Sequence, residues 1–209
     1  MIELVLAALT LVADYPLVNV AGLTPQGLAI EAATHKGKAG VRVTGPSGND
    51  DAFVTVDGSQ FTNGTLEVEV SGEPAPGAGG GARGFVGLAF HVSGADTYDA
   101  FYIRPTNGRA DDQLRRNHST QYISHPDWTW SRLRKDQPGV YESYVDLQPG
   151  EWTKLRITVD GKKARLYVDA ASEPVLIVND LKLAGSAGAV ALWVGPGCIA
   201  YFRDLRVRP

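Results

Sequence analysis

Alternation of apolar and polar residues marks the strands of this chain. Residues 65–70 (TLEVEV) place Leu66, Val68 and Val70 on one side and polar residues on the other. This period of two is typical of a β-strand with one wet face. The run 84–92 (GFVGLAFHV) is almost entirely apolar, which predicts a central strand covered on both faces.

Further strand patterns are separated by turns rich in Gly and Pro. Residues 154–160 (KLRITVD) and 163–169 (KARLYVD) flank Gly161-Lys162, which predicts a hairpin. The other patterns predict strands at residues 53–56, 99–104, 141–147, 175–178, 189–194 and 200–207. Since no apolar stripe has helical spacing, we expect an all-β sandwich or barrel, with residues 1–209 forming one domain.

The N-terminal residues allow two interpretations. Residues 4–13 (LVLAALTLVA) suit the core of a signal peptide, although Glu3 stands where a positive charge is typical and no A-x-A cleavage site follows. The alternative is a first core strand within residues 1–20. A signal would place the protein in the periplasm or outside the cell, and a cytoplasmic location stays open. The run is too short to span a bilayer, so no membrane span is expected.

Charge and cysteine content exclude several classes of function. The formal net charge is -3 and the pI about 5.8, which leaves no broad basic field for a nucleic acid. The single cysteine, Cys198, rules out an internal disulfide. Its apolar neighbours (GPGCIA) indicate a buried, inert thiol.

Two segments interrupt the strand pattern. Residues 72–84 (GEPAPGAGGGARG) indicate a flexible loop, and the glycines at 79–81 lack the lysine and the helix of a phosphate-binding loop. Residues 105–139 carry few strand signals and many functional side chains. Long loops inside a compact domain are usually functional, so this segment is the candidate site.

The order of several motifs resembles a known superfamily. These motifs are FTNGTLEVEV (61–70), GFVGLAFHV (84–92), TYDAFYIRP (97–105), GEWTKLRITVDGKKARLYVD (150–169) and GAVALWVG…AYFRDLRV (188–207). From about residue 20 onward they resemble the concanavalin A-like lectin/glucanase superfamily, most closely its laminin-G-like and 3-keto-disaccharide-hydrolase-like bacterial branches.

This resemblance implies a two-sheet antiparallel jelly roll whose concave face holds a glycan. Members of the superfamily include lectins, glycoside hydrolases, lyases and adhesion modules, so the fold does not settle the function. The E-x-D-x-x-E string of many glucanases is absent from the chain. A laminarinase-type retaining mechanism is therefore not expected.

The segment 98–152 carries the groups that a sugar requires. Flat rings stack on the apolar faces of sugars, while amide, guanidinium and imidazole groups bond their hydroxyls, and an arginine fork suits a uronate or sulfate. The candidate ligand-binding residues are Arg104, Asn107, Arg109, Arg115, Arg116, Gln121, Tyr122, Trp128, Trp130, Arg132 and Tyr144. The alternative is that the rings fill the core and the arginines pair with nearby acids.

If the protein is an enzyme, the candidate catalytic residues are Glu142, His118 and His125. In an extended strand Glu142 and Asp146 lie about 13 Å apart, too far for a retaining pair, so an acid would work with a histidine. The spacing of the two histidines does not indicate a zinc site. Calcium at Asp111 and Asp112 is the one cofactor that the sequence leaves open.

Three functions fit these patterns: an oligosaccharide- or polysaccharide-binding module, a glycoside hydrolase or lyase, and a protein-interaction module. Convergence of Arg104, His118, His125 and Glu142 in one pocket would favour catalysis. An open aromatic shelf would favour binding.

Overall fold

The structure, a computed structural model, describes residues 12–48 and 52–208. Its strands are β1 (Ala13–Tyr15), β2 (Leu23–Pro25), β3 (Ala29–His35), β4 (Lys38–Thr44), β5 (Ala52–Val56), β6 (Gly64–Pro74), β7 (Val86–Val92), β8 (Tyr98–Ile103), β9 (Thr120–His125), β10 (Glu142–Ser143), β11 (Thr153–Asp160), β12 (Lys163–Val168), β13 (Leu176–Val178), β14 (Ala189–Val194) and β15 (Cys198–Arg208). The helical elements are the 3-10 helix η1 (Pro105–Asn107), α1 (Gln113–Arg116) and α2 (Trp130–Asp136).

The strands form two antiparallel sheets. Sheet A has the order β13-β12-β11-β6-β15-β4-β3, and β1 also pairs with β15. Sheet B has the order β10-β9-β8-β7-β14-β5-β2. Each sheet combines pairs of consecutive strands, such as β11–β12 and β7–β8, with pairs that are distant in sequence, such as β6–β15 and β7–β14, as expected for a jelly roll rather than a simple meander. The predicted all-β jelly-roll sandwich is confirmed.

The predicted hairpin turn lies at its glycine, but the sequence patterns did not predict every hairpin of the fold. The β11–β12 hairpin closes where Asp160 pairs with Lys163, and Gly161 adopts a φ of 56°. The β3–β4 hairpin was not predicted, because most of β3 is exposed and its sequence, AIEAATH, lacks alternation. The strand predicted at residues 141–147 is only Glu142–Ser143, and β9 lies unpredicted inside the long segment 105–139.

Apolar side chains of the two facing sheets build the core. Val68 and Phe202 from sheet A, and Leu88, Phe101 and Leu192 from sheet B, are all buried. Burial of such side chains is the main favourable term in folding. Cys198 is also buried, as predicted, and burial raises the pKa of its thiol.

The outer face of sheet B carries a row of polar and aromatic residues. Residues that pair directly across antiparallel strands point to the same face. The registers align Glu142 with Gln121, Gln121 with Tyr102, Tyr102 with Gly87 and Gly87 with Trp193. Five adjacent strands therefore contribute one residue each to a single row, and this row positions the site.

Some predictions concern features that the structure does not test. Residues 4–11 of the apolar N-terminal run lie outside the described residues, while Ala13–Tyr15 pairs with the end of β15. None of the described helices combines the length and the apolar character needed to cross a bilayer. The single domain and the cellular location stay predictions.

Candidate functional site

A cavity of about 1030 Å³ opens over the outer face of sheet B. Its lining comes from residues within 47–48, 79–85, 102–118, 130–134 and 193–197. The volume matches the upper end of small-molecule sites, about 300–1,000 Å³. Because four arginines line it, we call it the arginine cavity.

Two stacked rings form part of the cavity wall. The ring centroids of Tyr102 and Trp193 lie 4.2 Å apart at an interplanar angle of 21°. Their strands, β8 and β14, are separated by β7, and the residue between them is Gly87. A methyl group at Gly87 would collide with the backbone of Phe101 and with Tyr102. Only glycine therefore lets the two rings meet across an intervening strand.

The indole N–H of Trp193 has no acceptor among the described residues, although the atom is buried. Buried polar groups are nearly always hydrogen-bonded, and those that are not require an explanation. Trp130 of α2 also lines the cavity and is 44% exposed, with the guanidinium of Arg134 4.9 Å from its ring.

A buried carboxylate beneath the cavity gathers three basic side chains. The side chain of Glu142 is 2% exposed. Its Oε1 accepts from Nη1 of Arg104 at 3.2 Å, and its Oε2 accepts from Nε of Arg134 at 3.0 Å. Nη2 of Arg134 contacts the same carboxylate, and Nε2 of His118 lies 3.4 Å from Oε2. The oxygens of Glu142 are thus occupied by charged donors.

Arg104 is fixed by partners on every side. Besides Glu142, its Nη2 donates to the hydroxyl of Tyr102 at 3.0 Å and to Oε1 of Gln121 at 2.9 Å. Its Nη1 also donates to the carbonyl of His118 at 3.1 Å. Bonds of this number and type hold a charged group in one orientation, which makes Arg104 a rigid part of the cavity floor.

His118 presents a neutral imidazole to the cavity. Burial is the largest cause that lowers the pKa of His118 below the usual 6.5. The positive charges of Arg134 and Arg104 lower it further, whereas Glu142 raises it. At neutral pH the ring is therefore uncharged and able to accept a proton.

A second group of residues joins α1 to the same cavity. Asn107 donates to the carbonyl of His118 at 2.9 Å, and Nε of Arg115 donates to Oδ1 of Asn107 at 3.0 Å. The carboxylate of Asp112 accepts from the backbone N–H of Arg115 at 2.6 Å and so caps α1. This arrangement directs the carboxylate of Asp112 to its own helix.

Several sequence candidates lie outside the arginine cavity. Arg109 forms a two-point ion pair with Asp146 at 2.7 and 2.8 Å, and both are exposed. Arg116 donates to the hydroxyl of Tyr144 at 2.7 Å, and its guanidinium lies 4.9 Å from that ring. Arg109 thus pairs with an acid and Arg116 with a tyrosine, and none of these four residues lines the cavity.

The remaining candidates are also placed elsewhere. Trp128 lies between the guanidinium of Arg132 at 4.1 Å and the ammonium of Lys182 at 4.4 Å. The ring of His125 stacks on that of Tyr98 at 4.8 Å. Tyr122 is fully buried on the core face of sheet B. The structure thus brings together Arg104, Asn107, Arg115, His118, Gln121, Trp130 and Glu142, but not His125, Tyr122, Trp128 or the exposed pairs.

The cavity lining also includes Arg83, Phe85 and Trp193, which sequence reasoning did not single out, and Tyr102 and Arg134, which lie in the segment 98–152 but were not among the ligand-binding candidates. Arg83 and Phe85 follow the glycine run that was interpreted as a linker. Trp193 and Tyr102 are far apart in sequence and meet only through strand pairing. The available signal was the Arg-Gly-Phe of residues 83–85, in which a charged residue ends a glycine-rich loop before a central strand.

The structure offers no support for a metal at Asp111 and Asp112. Across residues 12–48 and 52–208, no group of three or more His, Cys, Asp or Glu side chains is arranged to hold a metal ion. Asp112 instead caps α1.

Comparison with known proteins places this fold among carbohydrate-associated domains. A family model described as "3-keto-alpha-glucoside-1,2-lyase-like domain" matches residues 21–208. No curated protein sequence matches the chain.

Three solved structures illustrate the similarity of fold. Carbohydrate-binding module CBM66 from Bacillus subtilis has a TM-score of 0.62 and 14% identity over 88% of this chain and 93% of that one. A Bacillus subtilis protein of unknown function with a galectin-like fold gives 0.61 and 10%, over 94% of each chain. Domain 4 of a GH43 extracellular arabinanase from Geobacillus stearothermophilus, in complex with arabinotriose, gives 0.50 and 14%, over 88% and 79%.

Proposed function

Since the chain belongs to the 3-keto-alpha-glucoside-1,2-lyase-like domain family, we propose that it binds a carbohydrate in the arginine cavity. The ligand lies over the outer face of sheet B, between the stacked pair Tyr102–Trp193 and the exposed ring of Trp130. The likeness to laminin-G-like domains stays a prediction.

One observation carries this proposal: a single cavity combines aromatic surface with many hydrogen-bond donors. Phe85, Tyr102, Trp130 and Trp193 supply rings on its wall. Sugars have apolar C–H faces that pack on such rings, and their hydroxyls accept from N–H groups. Among these rings that of Trp130 is 44% exposed and open to a ligand, whereas Tyr102 and Trp193 are buried beneath it.

The structural neighbours support the same class of ligand. One of them is named as a carbohydrate-binding module, and another was solved with an arabinose trisaccharide. Their identities of 14% show a common fold only, so the proposal depends on the residues of the cavity itself.

The proposal is tested by isothermal titration with a panel of neutral and acidic oligosaccharides. Trp130→Ala removes a half-exposed ring without opening the core, and we expect about tenfold weaker binding or more. The matched control is Tyr144→Ala: this ring is 41% exposed and also has an arginine 4.9 Å away, but it lies outside the cavity. Equal affinities of both variants and the parent chain would remove the aromatic contact from the proposal.

A second candidate function is an elimination reaction, favoured by the neutral imidazole of His118 at the cavity. In a 3-keto-α-glucoside, the C2 hydrogen is acidified by the C3 ketone and the oxygen on C1 is the leaving group. His118 takes the C2 proton, a C1=C2 double bond forms, and the C1–O bond breaks. Solvent protonates the departing oxygen.

The reaction is measured by the ultraviolet absorbance of the enone that it produces from a 3-keto-α-glucoside. His118→Gln should abolish turnover while it leaves binding of the substrate intact, because the amide keeps the polarity but cannot act as a base. Because the pKa of His118 is lowered, the rate should be constant above pH 6.5 and fall only at lower pH. Unchanged turnover in His118→Gln would exclude His118 as the base.

A further inference from the structure

The charged groups of the arginine cavity are unbalanced. Among the described residues, Arg83, Arg104, Arg115 and Arg134 line it, and Asp112 is the one acidic residue in the lining. Glu142, beneath the cavity, is shared by Arg104 and Arg134. One carboxylate therefore compensates two of the four guanidinium groups.

Arg83 and Arg115 contact neutral acceptors only. Nη1 of Arg83 donates to the carbonyls of Gly80 and Ala82, both in its own loop. Arg115 donates to Asn107 at 3.0 Å, and its Nη2 lies 3.3 Å from Oγ1 of Thr106. Neither arginine forms an ion pair with a carboxylate in the part of the chain that the structure describes, and carbonyl and amide groups do not cancel their charge.

The like charges are close enough to affect one another. Burial lowers the pKa of Arg83, and the positive charges of Arg115 and Arg104 lower it further. Such repulsion between partly buried cations costs free energy unless an anion lies between them. The cavity thus contains an uncompensated positive charge at the end of the glycine-rich loop.

The hydrogen-bonding capacity shows the same imbalance. Arg83 and Arg115 both line the cavity, and a guanidinium has five N–H donors and no acceptor. A carboxylate offers two coplanar oxygens that match the guanidinium fork, in a geometry that a hydroxyl does not reproduce. A ligand rich in acceptors and negatively charged satisfies both requirements.

We propose that the saccharide of the arginine cavity is acidic, and that Arg83 and Arg115 bind the carboxylate of a uronic acid residue. This inference rests on the proposed function, because the aromatic wall is what identifies the rest of the ligand as a sugar. It adds the chemical class of the saccharide and two residues that determine specificity for it.

The test uses trisaccharides of galacturonate, mannuronate and guluronate, each beside its methyl ester, in isothermal titration with the full chain. The ester keeps the sugar and removes the charge. We expect at least one acid to bind about tenfold more tightly than its ester, and added salt to weaken only the acid. Arg83→Gln should remove most of this preference, because it lowers the affinity for the acid far more than the affinity for the ester.

Lys135→Gln is the matched control, since it removes one positive charge from α2 at an exposed position outside the cavity lining. A preference that survives Arg83→Gln and Arg115→Gln, or that Lys135→Gln reduces equally, overturns the assignment to these arginines. Equal binding of acids and esters overturns the inference but leaves the proposed function standing. If a sulfated trisaccharide binds more tightly than every uronate, the charged group of the ligand is not a carboxylate and the inference is overturned. Absence of binding by any saccharide, neutral ones included, overturns both proposals.

Discussion

Sheet B contains two buried carboxylates on opposite faces, and their surroundings differ. Asp99 points into the core, where it accepts from the Tyr122 hydroxyl at 2.6 Å and contacts Nδ1 of His91 at 2.9 Å. Nε2 of His91 lies 2.9 Å from the carbonyl of Thr62, and the Tyr122 oxygen accepts from the backbone N–H of Lys182 at 3.0 Å. Every one of these polar groups has a partner inside the protein.

Glu142 lies on the outer face of sheet B, and the groups around it offer more hydrogen-bond donors than acceptors. Two guanidinium groups and an imidazole surround it, and open space adjoins them. A closed network with matched donors and acceptors stabilises one structure, whereas a network with surplus donors beside a cavity can accept a ligand. The comparison indicates that Asp99 serves folding and that Glu142 positions the binding groups.

The largest expected effect is a loss of stability when the hydrogen-bond network around Asp99 is broken. Asp99→Ala should lower the free energy of unfolding by about 3–5 kcal/mol, because it leaves His91 and Tyr122 buried without their acceptor. Urea denaturation measures this loss. Asp146→Ala, which breaks an exposed pair with Arg109, is the control and should change little. A small loss in Asp99→Ala would mean that water reaches this network.

A smaller loss is expected at the cavity. Glu142→Ala should cost about 1–3 kcal/mol, because Arg104 keeps Tyr102, Gln121 and the carbonyl of His118 as acceptors and Arg134, one-third exposed, can be solvated by water. Added acetate should restore part of this stability in Glu142→Ala and none in Asp99→Ala, because only Glu142 borders open space. Rescue of both variants, or of neither, contradicts the contrast between the two sites.

The smallest expected effect is a change in ligand affinity with pH. As the pH falls through the lowered pKa of His118, the imidazole gains a proton and the cavity gains positive charge. The charges that face this ring are those of Glu142, Arg104, Arg134 and Asp112. Binding of an acidic trisaccharide should therefore strengthen a few-fold below pH 6.5, while binding of its methyl ester stays constant. Titration calorimetry across this range, with His118→Gln as the control, checks the prediction. A similar rise for the ester would assign the effect to another group.

The sequence predicted only those residues of the candidate site that come from one continuous stretch of the chain. Asn107, Arg115 and His118 fall within the long irregular segment 105–139, Arg104 directly precedes it, and composition was enough to single that segment out. Composition did not distinguish them from Arg109 or Arg116, because a guanidinium has the same preferences in an exposed ion pair and in a cavity. The difference lies in which partner the fold places beside it.

Local patterns in the sequence determined most strands, the β11–β12 turn and the all-β class, because a strand needs only side chains that alternate between two faces and residues that permit its turns. The tertiary structure decided which residues share the cavity. Trp193, Tyr102, Gln121 and Glu142 become one row only when β14, β7, β8, β9 and β10 pair in a single register. A shift by one residue would turn each of them to the other face, so the site is a property of strand pairing and not of any segment alone.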